Sequence, residues 1–296
     1  MRQALKANVE WLPAHRVVEL SRAHPPGGSD DALEAVRRIR LGVKDDEGKS
    51  VELDAGAVLI ACGVANRRQG GKNEQDYEGQ GVYYTALPSD AENVNKDDPI
   101  VIVGAGDTAG RAALMFAAKE AKVTMVVRGK LRDSMLPQLA KQIEGSSHIT
   151  VREQSNITEY RGEAGQLTGV VVNGNQPALQ TRTAYILIGA DPDTKWLEDA
   201  GVQVKRTKPA ARTGYVVTDT DVKVAAGQPT PPALATNVPG VFAAGDVRFR
   251  GVRRISMAAG EGAAAALSVH NYFTGRPQLL QVNGDTANAA LRAYYT

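Results

Sequence analysis

The sequence predicts an α/β fold of the Rossmann type, and three observations predict it. Residues 99–132, PIVIVGAGDTAGRAALMFAAKEAKVTMVVRGKLR, read as strand, glycine turn, helix and strand in immediate succession. The turn Gly104-Ala105-Gly106-Asp107-Thr108-Ala109 has the G-x-G-x-x-G/A form that dinucleotide-binding βαβ units carry. Thirty glycines and only 5% aromatic residues suit helices pressed closely onto a sheet.

Each part of that stretch has a physical task. Ile100-Val101-Ile102-Val103 is an apolar, β-branched run suited to a strand buried on both faces. Gly104 permits the tight turn, Gly106 lets the backbone approach a pyrophosphate, and Ala109 lets the next helix press on the strand. That helix, over 108–121 and opening on Asp107 and Thr108, would aim its unpaired N–H groups and positive dipole end at the phosphates. The strand 123–127 then ends where the cofactor is chosen. An NAD site usually places an acid there for the ribose hydroxyl. Here the residues are Arg128-Gly129-Lys130-Leu131-Arg132, with no acid until Asp133. Arg128, Lys130 and Arg132 suit a 2′-phosphate, so the expectation is NADP(H) rather than NAD(H). The alternative is a phosphate-free βαβ unit with a basic surface loop.

The bulk properties exclude several classes. Lys plus Arg total 35 against 33 for Asp plus Glu, which gives no argument for nucleic acid or an acidic membrane as partner. No run has the length of a transmembrane helix, and the first twenty residues are too charged for a signal peptide, so a cytoplasmic protein is expected. One cysteine, Cys62, excludes an internal disulfide, a Cys-x-x-Cys pair and a cysteine-based zinc site within one chain. Four scattered histidines read as surface residues, and no metal is expected.

In chain order, residues 3–7 read as a helix end, 16–20 as a strand, and 21–31, with Pro25-Pro26-Gly27-Gly28, as a loop. Strands at 37–43 and 50–53 flank a hairpin signal at 44–48. Residues 57–63 form an apolar strand that runs into a small-residue turn at Gly63, where a ligand could sit against the backbone. Residues 135–143 look helical, and 149–152, 157–160 and 167–172 alternate like an antiparallel meander. Residues 184–189 are a buried strand ending in Gly189, and ligands of open α/β sheets collect at such carboxyl ends. Lys205-Arg206-Thr207-Lys208 reads as a solvated turn. Residues 241–244 form a strand ending in Gly245-Asp246. That carboxylate can accept hydrogen bonds from a polyol or cap the next turn, and composition alone leaves the two readings even. Beyond Arg248, Arg250, Arg253 and Arg254, residues 255–273 form a small-residue helix with Glu261 and His270 exposed.

Taken together these residues resemble the two-domain, thioredoxin reductase-like flavoproteins of the pyridine nucleotide-disulfide oxidoreductase superfamily. Four segments carry the likeness in the family's order. They are Val58-Leu59-Ile60-Ala61-Cys62-Gly63, where Cys62 replaces the family's usual threonine; Gly79-Gln80-Gly81-Val82-Tyr83-Tyr84-Thr85-Ala86; the fingerprint with Arg128; and Pro239-Gly240-Val241-Phe242-Ala243-Ala244-Gly245-Asp246-Val247. The likeness spans nearly the whole chain. It implies two Rossmann-like three-layer domains: an NADP(H) domain at 87–216 inserted into an incomplete FAD-type domain made of 1–86 and 217–296. It also implies that Asp246 binds the ribityl-phosphate region of FAD. Arg253, Arg254 and Ile255 would lie against the isoalloxazine, where the helix dipole stabilises negative charge on the reduced ring. A homodimer is implied as well.

Two departures from the family stand out. Thr85 and Pro88 occupy the positions of its redox cysteines, and a mixed disulfide followed by resolution needs two thiolates, so dithiol reduction of thioredoxin is not expected. No glycine fingerprint precedes Gly104, so the family's FAD-pyrophosphate βαβ unit is missing from this stretch, and FAD is the weaker cofactor expectation. The expected function is an NADPH-dependent FAD oxidoreductase with an unidentified acceptor and no catalytic side chain, because the cofactors supply the chemistry. The alternatives are an NADP(H)-binding module without turnover and a cysteine-less ferredoxin- or flavodoxin-NADP reductase-like enzyme.

Overall fold

The computed structural model describes residues 9–22, 39–207 and 213–275. The readings made at 3–7 and 23–31 lie outside them. The chain divides into two compact units, one drawn from 1–65 and 191–296, the other from 66–190.

The first unit opens with an antiparallel sheet of β1 (His15–Arg22), β2 (Ile39–Asp45) and β3 (Ser50–Ala55). Its hairpin is built by Asp45, whose Oδ1 accepts the N–H groups of Glu47 at 3.0 Å and Lys49 at 2.8 Å. Gly48 takes the left-handed backbone that the turn requires, at φ +82°. Then come β4 (Val58–Ile60) and the two-residue β5 (Ala65–Asn66).

The second unit contains β6 (Val82–Tyr83), α1 (Pro88–Glu92), β7 (Pro99–Val103), α2 (Asp107–Ala117), β8 (Lys122–Val126), α3 (Pro137–Glu144) and β9 (Ile149–Arg152). β10 (Ile157–Glu163), β11 (Gln166–Val172), β12 (Asn175–Gln180) and β13 (Thr183–Ile186) complete it. Its parallel sheet has the order β6-β13-β7-β8-β9. The period of two along β7 sends its side chains to opposite faces. Ile100 and Ile102 join Ala109, Phe116 and Ile143 under the helices. Val101 and Val103 join Tyr160, Leu167 and Val170 under the β10-β11-β12 meander. The three layers are therefore helix, parallel sheet and antiparallel sheet.

Two expectations change here. Residues 149–152 are the edge strand of the parallel sheet, not part of the meander, and Val123 pairs with Ile149 in register. The meander's third strand is β12 instead. An edge strand and a meander strand share the same alternation, so periodicity could not separate them. The helix after the glycines stops at Ala117 rather than residue 121. Glu120 at φ +61° breaks it, and its carbonyl accepts the Asp97 N–H at 3.0 Å as the chain turns back to the sheet.

The chain returns to the first unit through β14 (Ala190–Asp191), α4 (Lys195–Asp199), β15 (Val204–Lys205) and β16 (Tyr215–Val216). β17 (Val241–Ala243) pairs in parallel with β4, and α5 (Ile255–Thr274) follows. The units meet the chain at 65/66 and 190/191, compared with the 87 and 216 expected. The reason is packing: Leu197, Val202 and Val216 share a core with Leu20, Ile60 and Val241 of the first unit. Residues 66–81, conversely, fasten to the second, where Lys72 exchanges backbone hydrogen bonds with Thr158 and Tyr160.

Candidate functional site

In the second unit, β7 has β8 on one side and β13 on the other, so the strand order reverses between β7 and β13. Such a switch point opens a crevice at the carboxyl ends of the strands. The turn after β7 and the turn after β13 both lie there. Gly104, at φ +141°, leaves no room for a side chain: an added Cβ would stand 2.5 Å from the Leu187 carbonyl and 3.1 Å from the Ala109 Cβ. Ala109 itself is fully buried. At Gly106, by contrast, an added Cβ would meet nothing within 4 Å. The backbone there is open to the outside. No side chain caps α2, so its first-turn N–H groups, from Asp107, Thr108 and Ala109, are left for an anion. Asp107 turns its carboxylate aside to accept the Leu136 N–H at 3.0 Å. In the turn after β13, Gly189, at φ +97°, accepts the Arg67 N–H at 2.9 Å.

The basic tip after β8 is partly engaged in ion pairing. The side chains of Arg128 and Lys130 are exposed and pair with no described residue. Arg132 forms a two-point fork with Glu144, whose hydrogen bond and charge push the Arg132 pKa up. Its guanidinium is thereby engaged twelve residues along the chain, beyond the reach of local pattern reading. Two nearby acids are also taken: Asp133 accepts the Lys130 N–H at 3.1 Å and Glu153 the Leu131 N–H at 2.7 Å. Two side-chain cations of the tip thus remain uncommitted.

In the first unit, the parallel pair β4 and β17 leads to Gly63 and Gly245-Asp246. Gly63 and Gly245 adopt positive φ, +65° and +78°. Asp246 is half-buried and has no hydrogen-bond or ion-pair partner among the described residues. Glu261, expected to be exposed, is instead largely enclosed: it accepts the Gly245 N–H at 2.6 Å and the Arg248 guanidinium at 2.6 Å. The signal was present in the sequence, since Glu261 is the one acid on an otherwise apolar, small-residue helix. His270 is exposed, as expected. Arg253 lies over the Tyr215 ring at 5.0 Å and donates to its hydroxyl, while Arg254 precedes α5 without capping it. Ile255 is 93% exposed at the start of that helix, beside exposed Val252 and Met257.

These residues fit one end of FAD. An unpartnered carboxylate suits the ribityl hydroxyls, and an uncapped 20-residue helix with exposed apolar side chains at its start suits the ring. They do not supply the other end, because the chain has no second strand-glycine-helix for the pyrophosphate. Among the described residues no cluster of His, Cys, Asp or Glu could hold a metal, and no helix is long and apolar enough to cross a membrane. Pro88 begins α1 directly after Thr85-Ala86-Leu87. Cys62 stands alone and is exposed, and local desolvation pushes its thiol pKa up, away from the thiolate form.

Comparison with known proteins gives the family. The family profile described as pyridine nucleotide-disulphide oxidoreductase matches residues 4–262. The thioredoxin reductase of Bacillus subtilis is 32% identical over 226 residues, which cover 75% of this chain and 65% of the relative. That of Listeria monocytogenes is 29% identical over 224 residues, covering 74% and 63%. The chain therefore spans just under two thirds of the length of these relatives. In fold, it is similar to the crystal structure of thioredoxin reductase from Streptococcus pyogenes, with a TM-score of 0.64 at 23% identity, covering 93% of this chain and 78% of the other. The chain belongs to the pyridine nucleotide-disulphide oxidoreductase family, as a thioredoxin reductase-like member without the cysteine pair.

Proposed function

We propose that this chain is the NADPH-binding and flavin-holding part of an oxidoreductase that delivers electrons to an acceptor other than by dithiol exchange. The carrying observation is open Gly106 and the uncapped start of α2 after β7, with unpaired Arg128 and Lys130 after the neighbouring strand β8, a combination that suits one ligand chemistry. The α2 amides would take the pyrophosphate, and Arg128 with Lys130 the 2′-phosphate. Gly245-Asp246 and the start of α5 would hold the flavin's ribityl chain and ring. When bound, the flavin would supply the chemistry of hydride acceptance and onward electron transfer, and the protein's part would be orientation and electrostatics. No side chain acts as acid or base. With Thr85 and Pro88 where a thiol pair would stand, the acceptor takes its electrons without a protein disulfide.

Calorimetric titration with 2′,5′-ADP and 5′-AMP tests the nucleotide half without any flavin. The 2′-phosphate should improve affinity at least about tenfold, the scale of one or two charge-assisted hydrogen-bonded pairs. The double variant R128A/K130A should abolish that difference and leave 5′-AMP binding unchanged. Equal affinities for the two ligands in the wild type would refute the NADP(H) assignment. The flavin half is tested by mixing NADPH with FAD-loaded protein, where flavin absorbance should bleach. A second reading is an NADP(H)-binding module without turnover. It requires nucleotide binding with no retained flavin.

A further inference from the structure

We infer that Glu261 and Arg248 are positioning residues that hold the Gly245–Asp246 turn by both ends and leave the Asp246 carboxylate free to receive hydroxyl donors. The inference rests on the flavin reading proposed above and extends it to residues outside the Gly-Asp signature.

The geometry begins at Gly245. Its positive φ turns the chain out of β17, and an added Cβ there would stand 3.4 Å from the Ala258 Cβ on α5. The Gly245 N–H donates to Glu261 Oε2 at 2.6 Å. Three residues on, the Arg248 N–H donates to the Gly245 carbonyl at 3.0 Å and closes the turn. The Arg248 side chain then reaches back to the same helix: Nη1 donates to Glu261 Oε1 at 2.6 Å. The two oxygens of one carboxylate thus grip the first residue of the turn and the side chain of the last. Asp246 lies between those grips, without a partner among the described residues.

Arg248 is itself anchored. Its Nη2 donates to Asp219 Oδ2 at 2.9 Å and its Nε to Thr218 Oγ1 at 3.0 Å, and the Thr218 hydroxyl donates to Asp219 at 2.8 Å. Asp219 also accepts the Leu234 N–H. The side chains of Arg248 and Glu261 are only 14% and 15% exposed, so solvent screens the pair little. An ion cluster of this kind could serve stability alone. Against that, it contacts the backbone of the turn itself, and at the residue immediately before the one carboxylate left unused.

The charge balance points to the ligand class. Arg248 offsets one of the two carboxylates that bind it, and Asp246 adds a further negative charge close by. A phosphate would be repelled at such a turn, whereas a neutral chain of hydroxyl donors would be attracted. That selects the polyol segment of a flavin over its phosphates.

The test is a double-mutant cycle on the full chain, read by quenching of flavin fluorescence on titration with FAD and with riboflavin, which carries the polyol without phosphate. D246N and E261A should each weaken both ligands about tenfold or more. In the D246N background E261A should cost less than about twofold, because Glu261 acts through Asp246. Independent, multiplying losses would overturn the inference. E261Q, which keeps the volume of the side chain, serves if E261A does not fold. Hydrogen exchange of the Gly245 amide gives a readout without flavin: protection in the wild type and its loss in E261Q support the grip, and an unprotected wild-type amide overturns it. A wild-type chain that binds neither flavin but protects Gly245 would refute the flavin reading, and with it the ligand assigned to the turn.

Discussion

Gly104 and Gly106 sit two residues apart and carry opposite obligations. At Gly104 an alanine would place a Cβ 2.5 Å from a backbone carbonyl, in a left-handed region that side chains avoid. At Gly106 the backbone has φ −88° and ψ 170°, which any residue adopts, and the space beyond is empty. Gly104→Ala should therefore destabilise the second unit by about 2–4 kcal/mol, the range for forced overpacking at a strained position. Gly106→Ala should leave stability within about 1 kcal/mol, since lost unfolded-state entropy and a poorer helix cap nearly offset. It should nevertheless remove nucleotide binding, because the new methyl occupies the approach to the α2 amides. Thermal melts and calorimetric titration of both variants separate the two. A Gly106→Ala protein that still binds 2′,5′-ADP normally would show that the phosphates do not sit there. The tight turn at Gly104 was legible in the sequence because it follows from a local, contiguous pattern. Glu261 was not, since its partners Gly245, Arg248 and, through Arg248, Asp219 lie 13 to 42 residues away along the chain.

At the scale of elements, the segment leading from β5 to β6 is organised by one buried carboxylate. Glu74 is 3% exposed and accepts the N–H of Gln69 at 3.0 Å, the N–H of Gly70 at 2.5 Å and the Tyr84 hydroxyl at 2.7 Å. Arg68 donates to the same hydroxyl at 2.8 Å and lies over the Tyr84 ring. Burial first, and then the hydrogen bond to Glu74, push the Tyr84 phenol well above its ordinary pKa. Burial does the same to Tyr160 and Tyr185. The sign of the linkage follows: these groups are raised on folding, so their contribution is intact below the unfolded tyrosine value of about 10 and is lost as pH climbs above it. Glu74→Gln should cost about 1–3 kcal/mol, the scale for disturbing a buried, charge-assisted network. It should also bring Tyr84 ionisation to lower pH, which absorbance titration at alkaline pH can follow. Unchanged stability and an unchanged titration would mean that the segment is held elsewhere. Nothing in the pattern around Glu74 announced this role, because a Gly-Gly-Lys-Asn-Glu stretch reads as any polar loop. The edge strand β9 was obscured for a different reason: four alternating residues fit a parallel edge and a meander equally well.

For the whole molecule, the two units differ in how the chain builds them. Residues 66–190 are one continuous stretch with a core on each face of a five-stranded sheet. Fully buried Phe116, Ile102 and Met125 fill one core, and Tyr160 and Leu167 the other. The first unit is assembled from two separated stretches, and its longest helix, α5, has only Ala265 and Ser268 buried among twenty residues. Ile255, Met257, Leu267 and Phe273 stand exposed along it. An apolar helix that covers so little of its own face contributes little to the stability of its unit. The second unit carries both its packing and the proposed nucleotide site within 66–190, which is a domain-sized length for independent folding. A fragment of residues 66–190 should therefore unfold in one cooperative transition. Its midpoint should lie within a few degrees of the higher-melting transition of the full chain. It should bind 2′,5′-ADP within about threefold of the full chain's affinity, because Gly106, α2, Arg128 and Lys130 all lie inside it. Calorimetry on the fragment and the full chain decides this. A fragment without a cooperative transition would mean that the first unit completes the core of the second. One that folds but fails to bind the nucleotide would place a necessary part of the site outside residues 66–190.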